Sequence, residues 1–207
     1  MSKIQLKNAT IEPYFHKLNL IVDKGASLAI SGGNRLALFR TIAGFMKLES
    51  GSYQLEYHRN ETKNLEELAA VRQEKMGYVA KNTDLLPKLT VLENLELPYF
   101  FQTGANQITA SKHQRLEQLS RLIGIHSLLN EKAYGLDEFE ERCVSIVRAC
   151  INSPSILLLE EFTMDFSEQQ CEILLNFFKL LKADGVTLIA TTENAAISGL
   201  FESRITV

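Results

Sequence analysis

The chain has 207 residues, of which 45% are hydrophobic, and a formal net charge of −3. This length suits one domain, or one core with an inserted subdomain, and the hydrophobic content is enough to bury a sizeable core. The mildly acidic balance argues against a nucleic-acid-binding protein, which usually carries a basic surface. No run approaches the ~18 apolar residues needed to cross a bilayer, so any membrane role is expected to be peripheral.

Short segments of alternating or continuously apolar residues predict strands along the chain. Alternation is typical of strands with one buried face, whereas the predominantly apolar segments 155–159 and 186–190 favour parallel strands that are buried on both faces. The predicted strands cover residues 3–6, 18–22, 27–30, 48–57, 76–80, 155–159, 186–190 and about 204–207.

Apolar residues at helical spacing predict helices between these strands. One helix is expected to begin near Leu36 and a charged one to cover 64–75. The middle of the chain, about 90–149, is mainly helical, with Pro98 and the region of Gly104 expected as breaks. A long helix follows over about 167–182. Strands separated by helices in this order imply a parallel α/β core with a helical insertion.

Several stretches, in this order, resemble the ABC ATPase family. Segment 25–45, GASLAISGGNRLALFRTIAGF, resembles the strand, phosphate loop and helix that open the family's core. Segment 84–98, DLLPKLTVLENLELP, resembles the stretch after the Q-loop in the subgroup that serves lipoprotein-export, cell-division and macrolide-type transport systems. Segment 157–163, LLLEEFT, resembles the Walker B strand. The chain therefore resembles an ABC-transporter nucleotide-binding subunit over nearly its whole length.

The resemblance implies an α/β fold of the P-loop NTPase (ABC ATPase) type. Such a fold has a parallel core, an N-terminal antiparallel β subdomain and an inserted helical subdomain. We expect a single ABC ATPase-like domain over 1–207, with the core and β subdomain in about 1–88 and 151–207 and the helical subdomain in about 89–150. The resemblance also implies a cytoplasmic protein at the inner face of the cell membrane.

The turn at Gly32, Gly33 and Asn34 departs from the phosphate loop of that family. The family pattern is G-x-x-x-x-G-K-[S/T], and the turn is about three residues too short to match it. Arg35 stands where the lysine would be. Leu36 and the residue after it replace the hydroxyl that holds Mg²⁺, a cation that needs oxygen ligands. Arg35 either still binds a phosphate or another anion at the helix start, or is a surface arginine on an ordinary turn.

Two adjacent carboxylates end the Walker B-like strand. Glu160 aligns with the Walker B aspartate, and Glu161 aligns with the glutamate that would polarise water as a general base. The alternative is that both simply end a buried strand, where they serve a structural hydrogen bond. The four histidines show no ligand spacing, so no metal site is expected.

The remaining motif positions also differ from the family. Lys81 aligns with the Q-loop glutamine and Thr192 with the switch histidine. The segment that aligns with the LSGGQ signature runs from Leu136 to Glu140 and brings carboxylates to a place where a triphosphate would be repelled. We therefore expect no cofactor, unless the chain is an active ATPase that uses ATP and Mg²⁺.

Three functions are compatible with this pattern. The first is an ATPase-inactive subunit, a structural or regulatory partner of a membrane permease that docks through the region around Leu85 to Phe101. It would pair with a second ABC-type subunit, as a homodimer or heterodimer. The alternative is a divergent but active ATPase subunit that uses Arg35 and Glu161 to couple ATP hydrolysis to substrate export or to lipid or lipoprotein transport. The third function is that of a soluble regulator, which binds a ligand without any permease.

Overall fold

The computed structural model of the chain describes residues 2–55, 58–60, 65–162 and 165–207. Within these ranges the strands form one antiparallel and one parallel sheet. The strands are β1 (Ser2–Ile11), β2 (Phe15–Asp23), β3 (Ser27–Ser31), β4 (Ser50–Leu55), β5 (His58–Asn60), β6 (Met76–Val79), β7 (Ile156–Leu159), β8 (Thr187–Thr191) and β9 (Ser203–Thr206). The helices are α1 (Arg35–Ile42), α2 (Leu65–Lys75), α3 (Val91–Thr103), α4 (Ala110–Ile123), α5 (Glu138–Cys150), α6 (Glu168–Ala183) and α7 (Ala195–Ser198).

The parallel sheet has the order β6-β7-β8-β3-β9, and every pairing in it is parallel. Successive side chains of β7 point to opposite faces, as in any strand. Leu157 and Leu159 therefore join one core cluster, whereas Ile156 and Leu158 join the other. All four residues are fully buried because both faces are covered. The predicted parallel α/β core is confirmed.

The antiparallel sheet has the order β2-β1-β4-β5. Its apolar face shares a core cluster with α1 and with one face of the parallel sheet. Ile4, Leu6 and Tyr53 lie in that cluster beside Ile30 and Leu38. The hydroxyl of Tyr53 donates to the carbonyl of Ile42 at the end of α1, with an O–O distance of 2.8 Å. The antiparallel sheet thus packs against α1.

Helices α3 to α5 lie in the chain between β6 and β7. Helix α3 begins with a capping box between Thr90 and Glu93 and ends at Gly104, whose φ of 65° is left-handed. The expected break at Gly104 is confirmed, but the break at Pro98 is wrong because the helix continues through it. Burial of the flanking Leu95 and Tyr99 on the core outweighs the one hydrogen bond that proline cannot donate.

Two arginines of α5 hold the segment that follows β6. Arg142 donates to the carbonyls of Ala80 and Lys81, at N–O distances of 3.0 and 2.8 Å. Arg148 donates to the carbonyls of Asp84 and Thr83, at 3.0 and 2.6 Å. Burial lowers the pKa of both guanidinium groups, although they remain cations. The helical segment and the parallel sheet are therefore joined by hydrogen bonds as well as by apolar packing.

Some expectations fall outside the described residues. Tyr57, Asn64 and Thr163, at the ends of a predicted strand, a predicted helix and the Walker B-like segment, are among them. The division into core and helical subdomain near residues 88 and 150 stays a prediction. Over the ranges that the structure does cover, no helix combines the length and apolar character that crossing a bilayer requires.

Replacing Arg142 by methionine is expected to lower the free energy of unfolding by about 1–3 kcal/mol, because the carbonyls of Ala80 and Lys81 lose their donors. Urea denaturation at neutral pH measures this loss. Arg121→Met is the matched control, since Arg121 is exposed on α4 and should change stability by no more than about 0.5 kcal/mol. Equal effects of the two substitutions would contradict the structural role of Arg142.

Candidate functional site

The candidate residues meet at the carboxyl edge of the parallel sheet. Gly32 to Arg35 follow β3, and Glu160 and Glu161 follow β7. Strand β8 lies between β3 and β7, so its last residue, Thr191, is at the centre of the same edge. This edge of a parallel sheet is where α/β proteins generally place ligands. The structure therefore brings both predicted motifs together.

A bidentate ion pair joins the turn after β3 to the end of β7. The Nε atom of Arg35 lies 2.7 Å from Oε1 of Glu161, and its Nη2 atom lies 3.1 Å from Oε2. The side chains are only 20% and 18% exposed. Nη1 of Arg35 contacts Glu193 at 2.6 Å and donates to the carbonyl of Gly32 at 3.0 Å. Every nitrogen of the guanidinium group therefore has a partner in the chain itself.

The backbone at Glu161 is held in an uncommon conformation. Its φ is 48°, in the left-handed region, which costs a residue with a side chain about 1–2 kcal/mol. Its N–H donates to the hydroxyl of Thr191 at 2.6 Å, and the N–H of Phe162 donates to the carbonyl of Thr191 at 2.8 Å. These bonds and the pair with Arg35 aim the carboxylate at the turn after β3.

The turn after β3 packs against the end of β9. Gly32 has a φ of 95°, and a Cβ atom there would lie 2.1 Å from the carbonyl oxygen of Val207. The N–H of Asn34 donates to that oxygen at 3.1 Å, and the N–H of Arg35 donates to the carbonyl of Gly32 at 3.3 Å. Two amides that could meet an anion at the start of α1 are therefore already paired.

Glu160 points to different partners from those of Glu161. Its carboxylate lies 3.5 Å from Nη2 of Arg40 on α1. The phenol of Tyr78 is also near: burial raises the pKa of Tyr78, and the charge of Glu160 raises it further. The two adjacent carboxylates thus diverge, so they do not form a paired acid–base site. Among the described residues, no group of three His, Cys, Asp or Glu side chains could hold a metal ion.

The charges around Glu161 make it a weak base. Its hydrogen bond to Arg35 lowers the pKa of this carboxyl, burial opposes the change, and the charges of Arg35 and Lys81 lower the pKa further. The same bond raises the pKa of Arg35. A general base works best with a pKa near the operating pH, and Glu161 is moved in the opposite direction. In this geometry Glu161 accepts structural hydrogen bonds.

The signature-aligned segment caps a helix. Asp137 and Glu140 form a reciprocal capping box at the start of α5, with N–O distances of 2.8 and 2.9 Å. Phe139 stacks edge-on against Phe166. Thr192, at the switch-histidine position, is buried and accepts a hydrogen bond from the N–H of Asn194. These residues have local structural partners, which sequence patterns alone do not reveal.

Three contributors to the site escaped the sequence-based prediction. Glu193 forms an ion pair with Arg35, and the hydroxyl of Thr191 accepts a hydrogen bond from the N–H of Glu161. The main-chain oxygen of Val207 accepts a hydrogen bond from the N–H of Asn34. Each reaches the site because β8 and β9 flank β3 in the sheet. The sequence pattern predicts these strands but not their lateral order in the sheet. It therefore does not predict these contacts.

Comparison with known proteins supports the resemblance. A family model described as ABC transporter matches residues 15–164, more than half of the chain. The lipoprotein-releasing system ATP-binding protein LolD of Desulfotalea psychrophila is 28% identical over 211 residues, which cover 100% of this chain and 93% of that relative. The macrolide export ATP-binding/permease protein MacB of Rhodopseudomonas palustris is 28% identical over 184 residues and 87% of this chain, but the chain spans only 28% of that relative.

The fold has solved counterparts. One is a dimeric ATP-binding cassette in a post-hydrolysis state bound to ADP and Pi, which aligns with a TM-score of 0.83 at 23% identity. The alignment covers 99% of this chain and 94% of that one. The expected fold class is therefore confirmed. The relatives' names favour the alternative function, an ATP-binding transporter subunit, over the inactive partner, and nothing in these comparisons shows inactivity.

Replacing Glu161 by glutamine is expected to destabilise the protein by about 1–3 kcal/mol at neutral pH, because Arg35 loses a charge-assisted partner. Because the pKa of Glu161 is lower in the folded chain than its ordinary value of 4.5, this stabilisation is present above that value. It is lost as the pH falls through the folded pKa. Urea denaturation at decreasing pH should show the stabilities of wild type and Glu161→Gln converging below 4.5.

The exposed Glu131 supplies the control, since Glu131→Gln should leave stability nearly unchanged at every pH. A wild-type advantage over Glu161→Gln that persists undiminished into strong acid would contradict the ion pair.

Proposed function

Because the chain belongs to the ABC transporter family, we propose that it is the nucleotide-binding-type subunit of a membrane transport complex and that it does not hydrolyse ATP. The absence of ATP hydrolysis is proposed because Arg35 and Glu161 form an ion pair with each other. This pair lies at the sheet edge where the family resemblance would put a phosphate. The proposal makes the chain a structural or regulatory partner within the complex.

The residues at this edge do not fit Mg²⁺ and ATP in the observed conformation. A phosphate needs free backbone amides and a cation, whereas the amides of Asn34 and Arg35 are paired and the charge of Arg35 is neutralised. A magnesium ion needs oxygen ligands at the start of α1, where Leu36 and Ala37 offer none. No catalytic step through a nucleotide is therefore assigned to this chain.

An ATP-hydrolysing subunit is the second candidate, and the comparisons favour it. Both LolD and MacB are named as ATP-binding proteins, and the relatives match most of this chain. For this function, Arg35 would have to leave Glu161 and turn to the nucleotide. Opening a part-buried charge pair of this geometry costs about 1.5–3 kcal/mol, which tight nucleotide binding could offset.

Nucleotide binding and turnover separate the two candidates. The full chain, alone and in its native complex, is titrated with a fluorescent ATP analogue and Mg²⁺, and phosphate release is followed. We expect no release above that of Glu161→Gln, because both carboxylate oxygens of Glu161 are bonded to Arg35. Phosphate release that is lost in Glu161→Gln but kept in Glu131→Gln would establish the second candidate instead.

We also propose that the permease docks beside α3, as expected for the region from Leu85 to Phe101. Much of this region is core, since Val91, Leu95 and Tyr99 are buried. Two apolar side chains remain at the surface: Leu86 is 48% exposed and Phe101 is 79% exposed. They could accept an apolar helix face from a membrane partner.

A cavity of about 270 Å³ adjoins this surface. Phe101, Pro98 and Tyr78 contribute apolar walls, and Gln102 and Asn152 contribute polar groups. The loop that carries Leu86 is fixed by the buried Asn94, whose side chain bonds both the N–H and the carbonyl of Leu86. A preformed surface of this kind loses little conformational freedom on binding. The partners proposed are thus a permease at the inner face of the cell membrane and a second ABC-type subunit.

Leu86→Asp is expected to reduce recovery of a membrane subunit with the tagged chain about 10-fold, as for an apolar interface anchor. Leu122→Asp is the control, because Leu122 is 46% exposed but lies on α4, outside the proposed surface. Purification of the native complex in mild detergent measures both. Recovery of the wild-type chain with no membrane protein would favour the third function, a regulator without a permease.

A further inference from the structure

A second cavity, of about 410 Å³, lies along α6 beside the segment that leads into β9. It is distinct from the sheet edge just described, since neither Arg35 nor either of the adjacent carboxylates lines it. Its size falls within the range of about 300–1,000 Å³ that is common for small-molecule sites. No function proposed above uses it.

One face of α6 gives the cavity its polarity. Leu175, Phe178, Lys179 and Lys182 line it, and their spacing of three, four and seven residues puts them on the same side of the helix. From Leu175 to Lys182 the helix rises about 10 Å. This face of α6 therefore runs from an apolar end at Leu175 to a cationic end at Lys179 and Lys182.

The floor of the cavity is aromatic and aliphatic. Phe162 and Phe178 are 2% and 6% exposed, and their ring centroids lie 5.6 Å apart in an edge-on contact. Leu188 of β8 completes this floor. At the mouth, Leu200 leaves 51% of its surface exposed. Apolar surface at an open cavity favours an occupant with an apolar chain.

The cationic end carries one charge without a partner. Lys182 pairs with Glu202 at 2.6 Å and contacts the hydroxyl of Ser27 at 3.4 Å. Glu202 also accepts a hydrogen bond from the N–H of Ser27; the bond from Lys182 lowers the pKa of Glu202 most, burial opposes the change, and the bond from Ser27 lowers it further. Lys179 has no carboxylate partner in the part of the chain that the structure describes. The mouth thus has a net charge that matches a monoanion.

We propose that this cavity binds a single-chain aliphatic carboxylate, with its chain against Phe162, Phe178 and Leu188 and its head group beside Lys179. The apolar floor and the separated cation together define this ligand class. A ligand without an apolar chain would leave the floor exposed to water. A dianion would exceed the single unpaired charge.

Dodecanoate, below its micellar concentration, is the probe. Its binding to the full chain is measured by displacement of a fluorescent dansyl-labelled fatty acid, with dodecan-1-ol as the neutral analogue of equal length. We expect saturable binding of dodecanoate and weaker binding of the alcohol. Lys179→Glu should weaken dodecanoate about two- to fivefold or more, the size of a lost surface ion pair, whereas Lys47→Glu should not.

A filling substitution tests the cavity itself. Leu175→Trp should weaken dodecanoate about 10-fold or more, because the indole occupies the space of the chain. Leu180→Trp is the matched control, since Leu180 is on the same helix but does not line the cavity. If Leu175→Trp fails the check of fold by circular dichroism, Leu200→Asp at the mouth is compared with Leu180→Asp.

Absence of saturable dodecanoate binding overturns the proposal. Equal dodecanoate affinity of Leu175→Trp and Leu180→Trp, and of Lys179→Glu and Lys47→Glu, overturns it as well. Equal affinity for dodecanoate and dodecan-1-ol overturns the role of Lys179. If the cavity instead binds a second copy of the chain, the molecular mass of the protein in solution should rise with concentration. Leu175→Trp should abolish this rise, and dodecanoate should not bind. None of these readouts depends on ATP hydrolysis or on the permease.

Discussion

The pair between Arg35 and Glu161 is the contact on which the edge of the parallel sheet depends. It joins the turn after β3 to the end of β7, and its partner Glu193 adds the segment after β8. The left-handed backbone at Glu161 is tolerated because the pair and the hydroxyl of Thr191 hold it. With both charges only about one-fifth exposed, the interaction is screened little by solvent, so it favours one arrangement of three segments that are distant in sequence.

The family names and the site geometry point in different directions on activity. Relatives named as ATP-binding proteins favour a chain that handles nucleotide. The geometry favours a closed edge, in which the carboxylate of Glu161 is the partner of Arg35. Both observations are compatible with one fold, because the likeness to a solved ATP-binding cassette extends over 99% of the chain.

Much of the fold could be predicted from residue pattern, whereas the contacts of the site could not. The segments 155–159 and 186–190 indicated buried parallel strands because they are predominantly apolar and carry no charged side chain. The break predicted at Pro98 was wrong, because packing of neighbouring side chains on the core overrides the low helix propensity of proline. Gly32, Arg35 and Glu161 were recognised as site residues, but their pairing follows from the lateral order of β7, β8 and β3. That order is a property of long-range packing, which chain order does not encode directly.

The bond from the amide of Asn34 to the main-chain oxygen of Val207 limits the length of the turn between β3 and α1. Strand β9 pairs with β3 through Ser31 and also covers Gly32, where even a methyl group would collide with it. Lengthening this turn by insertion would displace the outermost strand of the sheet. Replacing Arg35 by lysine would keep the positive charge but would not release the amides of Asn34 and Arg35, which are bonded to main-chain oxygens. The length of this turn and the position of β9 are therefore coupled, so neither can change without the other.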